Sequence, residues 1–259
     1  MRALEPIDTR GLFAPLHEEL MTLLRALTAA EWETPTVARA WRVRDVAAHL
    51  LDTQLRRLSG QRDGHRLAPP DRPLVEWLND LNATWVAAAK RFSPRVIADL
   101  LDVTGRAFAP FIESLPLHAR APISVAWAGE SESENWFDIG REYTEWWHHQ
   151  MQIRDAVGAP LLLLEPKWLE PLLEISARVF RGIPETVVFD VDGRAFSVVG
   201  GEVHRGAAPS PAATVTTDAD TAWRMLFHAL SHDEILARVT ISGDAAAAEP
   251  LLRARSVMV

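Results

Sequence analysis

Glu145 and His149 stand four residues apart in a stretch of helical pattern, so on an α-helix their side chains leave one face a turn apart. A carboxylate and an imidazole so placed can grip one divalent ion, and His49, on an earlier helical stretch, can supply a third donor. Three protein ligands leave a position open to water or substrate, which is the arrangement of a catalytic rather than a structural metal site. Zn is the first expectation; Ni, Fe and Mn accept the same nitrogen and carboxylate donors. The chain contains no cysteine, which removes thiolate ligands, disulfides and a cysteine nucleophile.

The same residues admit a plainer reading. A Glu followed four residues later by a His is common on solvated helix faces. Around the helix, Glu145 and His149 lie nearly opposite the apolar stripe of Ile139, Tyr143, Trp147 and Met151, which counts against a site inside a bundle core. His49 borders the apolar side of its own helix and is equally compatible with a hydrogen-bonded core histidine. Pattern alone leaves both readings open.

Other residues invite roles. Glu142, one turn before Glu145, is a substitute carboxylate ligand or an acid/base candidate. Arg56, Arg57, Arg141 and Arg154 could bind an anionic substrate or the carboxylate of a cofactor. Asp45, four residues before His49, could orient the imidazole or serve as a charge in the first helical turn. His148 projects about 100 degrees away from His149 and is not expected to share its ion, which leaves it a place behind the ligands or on the surface. Trp146 and Trp147 read as packing. Ser231, His232, Asp233 and Asp244 superficially suggest a hydrolase triad, but neighbours at a helix end cannot supply that geometry, and there is no nucleophile elbow.

The elements that must position these groups can be read from periodicity. Leu12, Phe13, Leu16, Leu20, Leu23, Leu24 and Leu27 predict a helix over about 10–28, and Val43, Val46, Ala47, Leu50 and Leu51 a second over about 42–58, with Gly60 and Gly64 at its end. Pro69, Pro70 and Pro73 read as a connector. A third helix with a shorter continuation is predicted over 74–101, with Ser93 and Pro94 as cap and first turn; Pro110, Pro116 and Pro122 are expected to break up the stretch after it. A long helix over about 136–157 ends at Gly158, with Pro160 beyond it. The texture then changes. A helix over 168–180 precedes a hairpin, 186–190 and 195–199 about Asp192-Gly193. Beyond it come a strand at 213–217, a helix over about 220–230, a strand at 237–242, a turn at Gly243-Asp244 and a helix through Leu252.

The fold class is therefore α+β in two domains: an up-down-type four-helix bundle in 1–162 and a small α/β domain in 166–259. With 48% hydrophobic and 24% charged residues the chain buries a real core, and a formal charge of -8 without basic runs argues against nucleic acid as a partner. The first eight residues lack the apolar core of a signal peptide, and no stretch is long and apolar enough for a membrane span; a cytoplasmic protein, monomer or homodimer, is expected.

The segment from Trp41 to Leu50, WRVRDVAAHL, resembles the helix-two signature of the mycothiol-dependent maleylpyruvate isomerase family, within the wider DinB/YfiT-like metal-binding bundle superfamily. The segment from Glu142 to Gly158, EYTEWWHHQMQIRDAVG, resembles its fourth-helix signature. The resemblance implies that His49, Glu145 and His149 form a facial triad in a DinB-like bundle spanning roughly the first 160 residues. It also implies a sterol-carrier-like domain behind it. The function implied is a metal-dependent isomerase or S-transferase that acts on a small molecule through a metal-activated low-molecular-weight thiol. A metal-dependent hydrolase with Glu142 or another carboxylate as base, and a non-catalytic metal-stabilised binding module, are the alternatives.

Overall fold

A computed structural model describes the chain except for Arg39, Arg66, Leu67, Pro69, Pro70 and residues 257–259. Of the expected proline connector, Pro69 and Pro70 thus lie outside the described residues, while Pro73 directly precedes a helix. The fold is α+β, as expected. It divides into a helical unit, Asp8–Pro122 with Glu145–Leu162, and a mixed unit, Met1–Ile7 with Ile123–Thr144 and the described residues from Leu163 onward.

In the helical unit a 3-10 turn, Arg10–Leu12, leads into α1 (Phe13–Ala26), and α2 (Val43–Arg57) runs on into a π-helical turn, Leu58–Arg62. α3 (Leu74–Ala89) comes next, then α4 (Pro94–Ser114), whose Ser93 side chain accepts from the Val96 backbone N–H. α4 is not a short continuation: at 21 residues it outruns α3 at 16, and it passes through Pro110 rather than stopping there. A proline inside a helix costs about 3 kcal/mol. Pro110 faces solvent, while its neighbours Phe108, Ala109 and Ile112 are buried and offset that cost by packing. The bundle core closes around Trp146 of α5 (Asn135–Ala156), whose ring meets Phe13 edge-on at 5.5 Å and Phe108 at 4.9 Å. The expected packing role of Trp146 is what the structure shows.

α5 is shared between the units, its first half in the mixed one and its second half in the helical one. From Trp136 to Arg154 none of its residues is exposed, and most are buried. The expected solvated face is therefore absent: the side opposite the apolar stripe is covered too. Gly158 ends the helix with φ 65°, its N–H donating to the Asp155 carbonyl and that of Ala159 to the Arg154 carbonyl, as a glycine C-cap requires.

In the mixed unit, the first half of α5 packs with α6 (Pro166–Ser176). Val125, Ala128, Phe137 and Ile175 form one buried cluster, and the Tyr143 hydroxyl donates to the Trp168 carbonyl at 2.6 Å. A 3-10 turn, Ala177–Phe180, leads to a mixed sheet in the order β1-β4-β3-β2-β5-β6. Its strands are β1 (Arg2–Ala3), β2 (Val187–Val191), β3 (Arg194–Val199), β4 (Glu202–Arg205), β5 (Ala213–Thr217) and β6 (Thr240–Gly243); β2 and β5 run parallel and the other pairs antiparallel. Asp192 and Gly193, with φ 50° and 81°, make the expected hairpin turn. β1 and β4 were not expected, because two and four residues are too few to show an alternation. α7 (Ala219–Leu226) is capped by Asp218, and α8 (His232–Leu236) occupies the approach to β6, which shortens the strand expected from 237. α9 (Ala245–Arg253) closes the unit. Among the described residues no helix is long and apolar enough to cross a membrane.

Candidate metal centre

His49 sits in the second turn of α2, and the start of that helix is fixed by Asp45. The Asp45 carboxylate accepts the Arg42 backbone N–H at 3.0 Å, which satisfies one of the donors left over at a helix N-terminus. Of the two roles open to Asp45, the structure realises the helix-terminal one. His49 Nδ1 is buried and has no hydrogen-bond partner among the described residues. Such a nitrogen is costly in a structural core histidine, so the plainer reading of His49 loses its main support.

On α5, Glu145 and His149 project from one face, and His49 meets them. One ligand atom from each of the three residues lies within 4.8 Å of the other two. The two imidazoles contact edge to face with centroids 4.6 Å apart, and His149 Nε2 is 3.5 Å from a Glu145 carboxylate oxygen. Both histidines are buried, while Glu145 is half-buried, so the cluster is shielded from solvent except on the carboxylate side. Burial above all, then the charge that His149 can carry, holds the His49 imidazole well below its ordinary pKa, against the opposing pull of Glu145. A neutral imidazole with a free lone pair is the form that binds a metal. Two imidazoles, that of His49 with a buried nitrogen lacking a partner among the described residues, and one carboxylate fit a divalent ion such as Zn, Ni, Fe or Mn.

Two neighbours complete the surroundings. The half-buried Trp41 ring packs over both imidazoles, 4.8 Å from His49 and 6.2 Å from His149. Gln152 is buried, with its Oε1 2.9 Å from His149 Nδ1. Sequence reasoning gave neither residue a role, although Gln152 lies three positions after His149 on the same helix face, a spacing that signals contact.

The remaining candidates are distributed elsewhere. His148 is buried, not on the surface, with its ring 3.9 Å from that of His149, and it is not one of the three clustered donors. Glu142 is buried in the mixed unit and accepts from Arg141 at 3.0 Å, and Arg141 also donates to Asp138; neither is among the clustered donors. Arg154 is buried and donates to the carbonyls of Pro160 and Glu19, a structural use. Arg57 is buried at the end of α2. Arg56 pairs with Asp52 at 2.9 Å and donates to Asn82 at 3.1 Å, and it lines an open groove of about 470 Å³ between α2 and α3 together with Asp52, Arg72, Asp80 and Trp85. Ser231 caps α8 and accepts from the Glu234 backbone N–H, as its place at a helix end required.

Comparison with solved structures finds two chains alike over nearly their whole length. They are the mycothiol-dependent maleylpyruvate isomerase and a mutant of it with one histidine replaced by alanine. Both have a TM-score of 0.62, at 12% and 11% identity respectively, covering 95% of this chain and 98% of theirs. Likeness at that identity shows a shared fold. No curated protein matches the sequence. The family model described as the mycothiol maleylpyruvate isomerase N-terminal domain matches residues 13–154, more than half of the chain, from the start of α1 into the second signature as far as Arg154. The chain thus belongs to the mycothiol maleylpyruvate isomerase N-terminal domain family.

Proposed function

We propose that this protein is a metal-dependent, thiol-dependent isomerase or S-transferase acting on a small electrophilic substrate. The observation that carries the reading is the convergence of His49, Glu145 and His149 within 4.8 Å in a buried setting. These three residues would hold the metal, with Zn first among the ions, and when bound it supplies the positive charge that lowers the pKa of a cofactor sulfur toward neutrality. The chain's own residues do the rest. Glu145 contributes the negative charge of the donor set, Trp41 covers the imidazole faces, and Arg56, already paired with Asp52, has only its remaining donors to turn to an anionic part of substrate or thiol. A thiol bound beside these residues would supply a nucleophilic sulfur able to add reversibly to the cis double bond of a maleylpyruvate-like substrate, which is the chemistry of a cis-trans isomerisation. With a substrate carrying a leaving group, the same sulfur would supply the nucleophile of a displacement, the new carbon–sulfur bond replacing the bond to the leaving group, which departs as its anion.

The hydrolase alternative calls on Glu142 or another carboxylate as base, and of these Glu142 is engaged by Arg141. In the same proposal, residues 1–162 form the metal-binding bundle domain and 166–259 the small sterol-carrier-like domain, and the protein works in the cytoplasm. Cobalt-substituted protein tests the thiol step. A thiolate charge-transfer band on adding a low-molecular-weight thiol, with turnover that requires the thiol, is the expected result. Turnover without thiol would make the protein a hydrolase, and neither band nor turnover would leave a binding module.

A further inference from the structure

We infer that Gln152 is a positioning residue that fixes the tautomer of His149. The inference rests on the metal-centre reading only for its consequence, not for its geometry. Gln152 Oε1 lies 2.9 Å from His149 Nδ1, and both side chains are buried. An amide oxygen can only accept, so this pair is satisfied when Nδ1 carries the proton. The lone pair of the neutral ring is then on Nε2, the nitrogen 3.5 Å from the Glu145 carboxylate and facing the cluster. The opposite amide orientation would donate to Nδ1, leave the proton on Nε2 and aim that proton at Glu145, where it would block the nitrogen as a ligand. A metal-binding histidine is commonly held through its other nitrogen in this way.

The acceptor being an amide has a further consequence. Glu145 is the one carboxylate of the clustered donors. A divalent ion held there keeps an excess of one positive charge, and Gln152, being neutral, leaves that excess in place for an anionic sulfur. A carboxylate at the same position would cancel it and bind the metal at least as tightly.

The test uses the full chain with 15N-labelled histidine, free of metal and then titrated with Zn against a chromophoric chelator. Long-range 15N correlation spectra at about pH 8, above the ordinary histidine range, report the tautomer directly, with the His149 signals assigned by their loss in His149→Ala. The wild type should show the Nδ1–H form. Gln152→Glu should keep that form and bind Zn as tightly or more so, whereas Gln152→Leu should lose it and bind Zn roughly 10–100-fold more weakly. An Nε2–H form in the wild type would overturn the inference, as would Gln152→Leu retaining both tautomer and affinity, or Gln152→Glu binding Zn more weakly. If Gln152→Leu fails to fold, the wild-type and Gln152→Glu spectra still decide. A wild type that shows the Nδ1–H form, dependent on Gln152, yet takes up no metal would sustain the tautomer assignment while removing the metal centre.

Discussion

Burial holds the His49 imidazole toward its neutral form, whereas His149 has a buried amide oxygen 2.9 Å from its Nδ1. The difference matters for mutation. His49→Ala, Glu145→Ala and His149→Ala should each lower metal affinity by more than the roughly 10–100-fold expected for an outer partner, while His148→Ala should leave it within that range; chelator competition on the four variants measures both. Where α1 meets α4, the His17 ring lies where a side chain on Gly105 would stand, a Cβ there falling 2.1 Å from its Cε1. Gly105→Ala should destabilise the fold by about 1–3 kcal/mol, read as a lowered urea midpoint. His17 itself is held below its ordinary pKa, first by burial, with Asp102 at 3.7 Å opposing and Arg106 and Arg25 adding to the shift. The unfolded chain therefore binds this proton at a higher pH, near about 6.5, than the native one. The contribution of neutral His17 is fully present above that value and declines as pH falls toward the folded pKa, so stability falls with acid. His17→Gln should flatten that part of the pH–stability curve; an unchanged slope would show that His17 does not set it.

At the scale of elements, the cap on α2 and the burial of α5 do different jobs for the site. Asp45→Ala should cost about 0.5–2 kcal/mol of stability by freeing the Arg42 N–H, and it should leave metal affinity unchanged, because the carboxylate serves the helix start and not the imidazole. A loss of metal affinity at unchanged stability would assign Asp45 to His49 instead. The sequence made α1, α2, α5 and the β2–β3 hairpin legible, because each has a local signature, three-and-four spacing or a turn pair with positive φ, while for His49, Glu145 and His149 spacing alone left two readings open. It made less of α4 and of the surroundings of α5. Pro110 reads as a break, and only tertiary burial of Phe108 and Ile112 carries the helix through it. The face bearing Glu145 and His149 reads as solvated because its cover comes from other elements, Trp41 and His49 among them, and a single helix cannot announce its neighbours. The resemblance to the family's two signatures supplied what periodicity left open.

For the molecule as a whole, the units interleave along the chain, since Ile123–Thr144 clusters with the residues after Leu163 and not with the bundle that precedes it. A fragment of residues 1–162 would keep every clustered donor but lose the Trp168 carbonyl that accepts from Tyr143 and the Ile175 side chain that packs with Phe137. Such a fragment should be markedly less stable than the full chain and expose apolar surface, seen as a lower thermal midpoint and dye binding. Metal content is the property on which the whole account turns. Elemental analysis of the full-length protein without a histidine tag, beside His149→Ala prepared identically, should find close to one divalent ion per chain in the first and little in the second; no metal in the wild type even after reconstitution, or equal metal in the variant, would contradict the assignment of His49, Glu145 and His149 as its ligands.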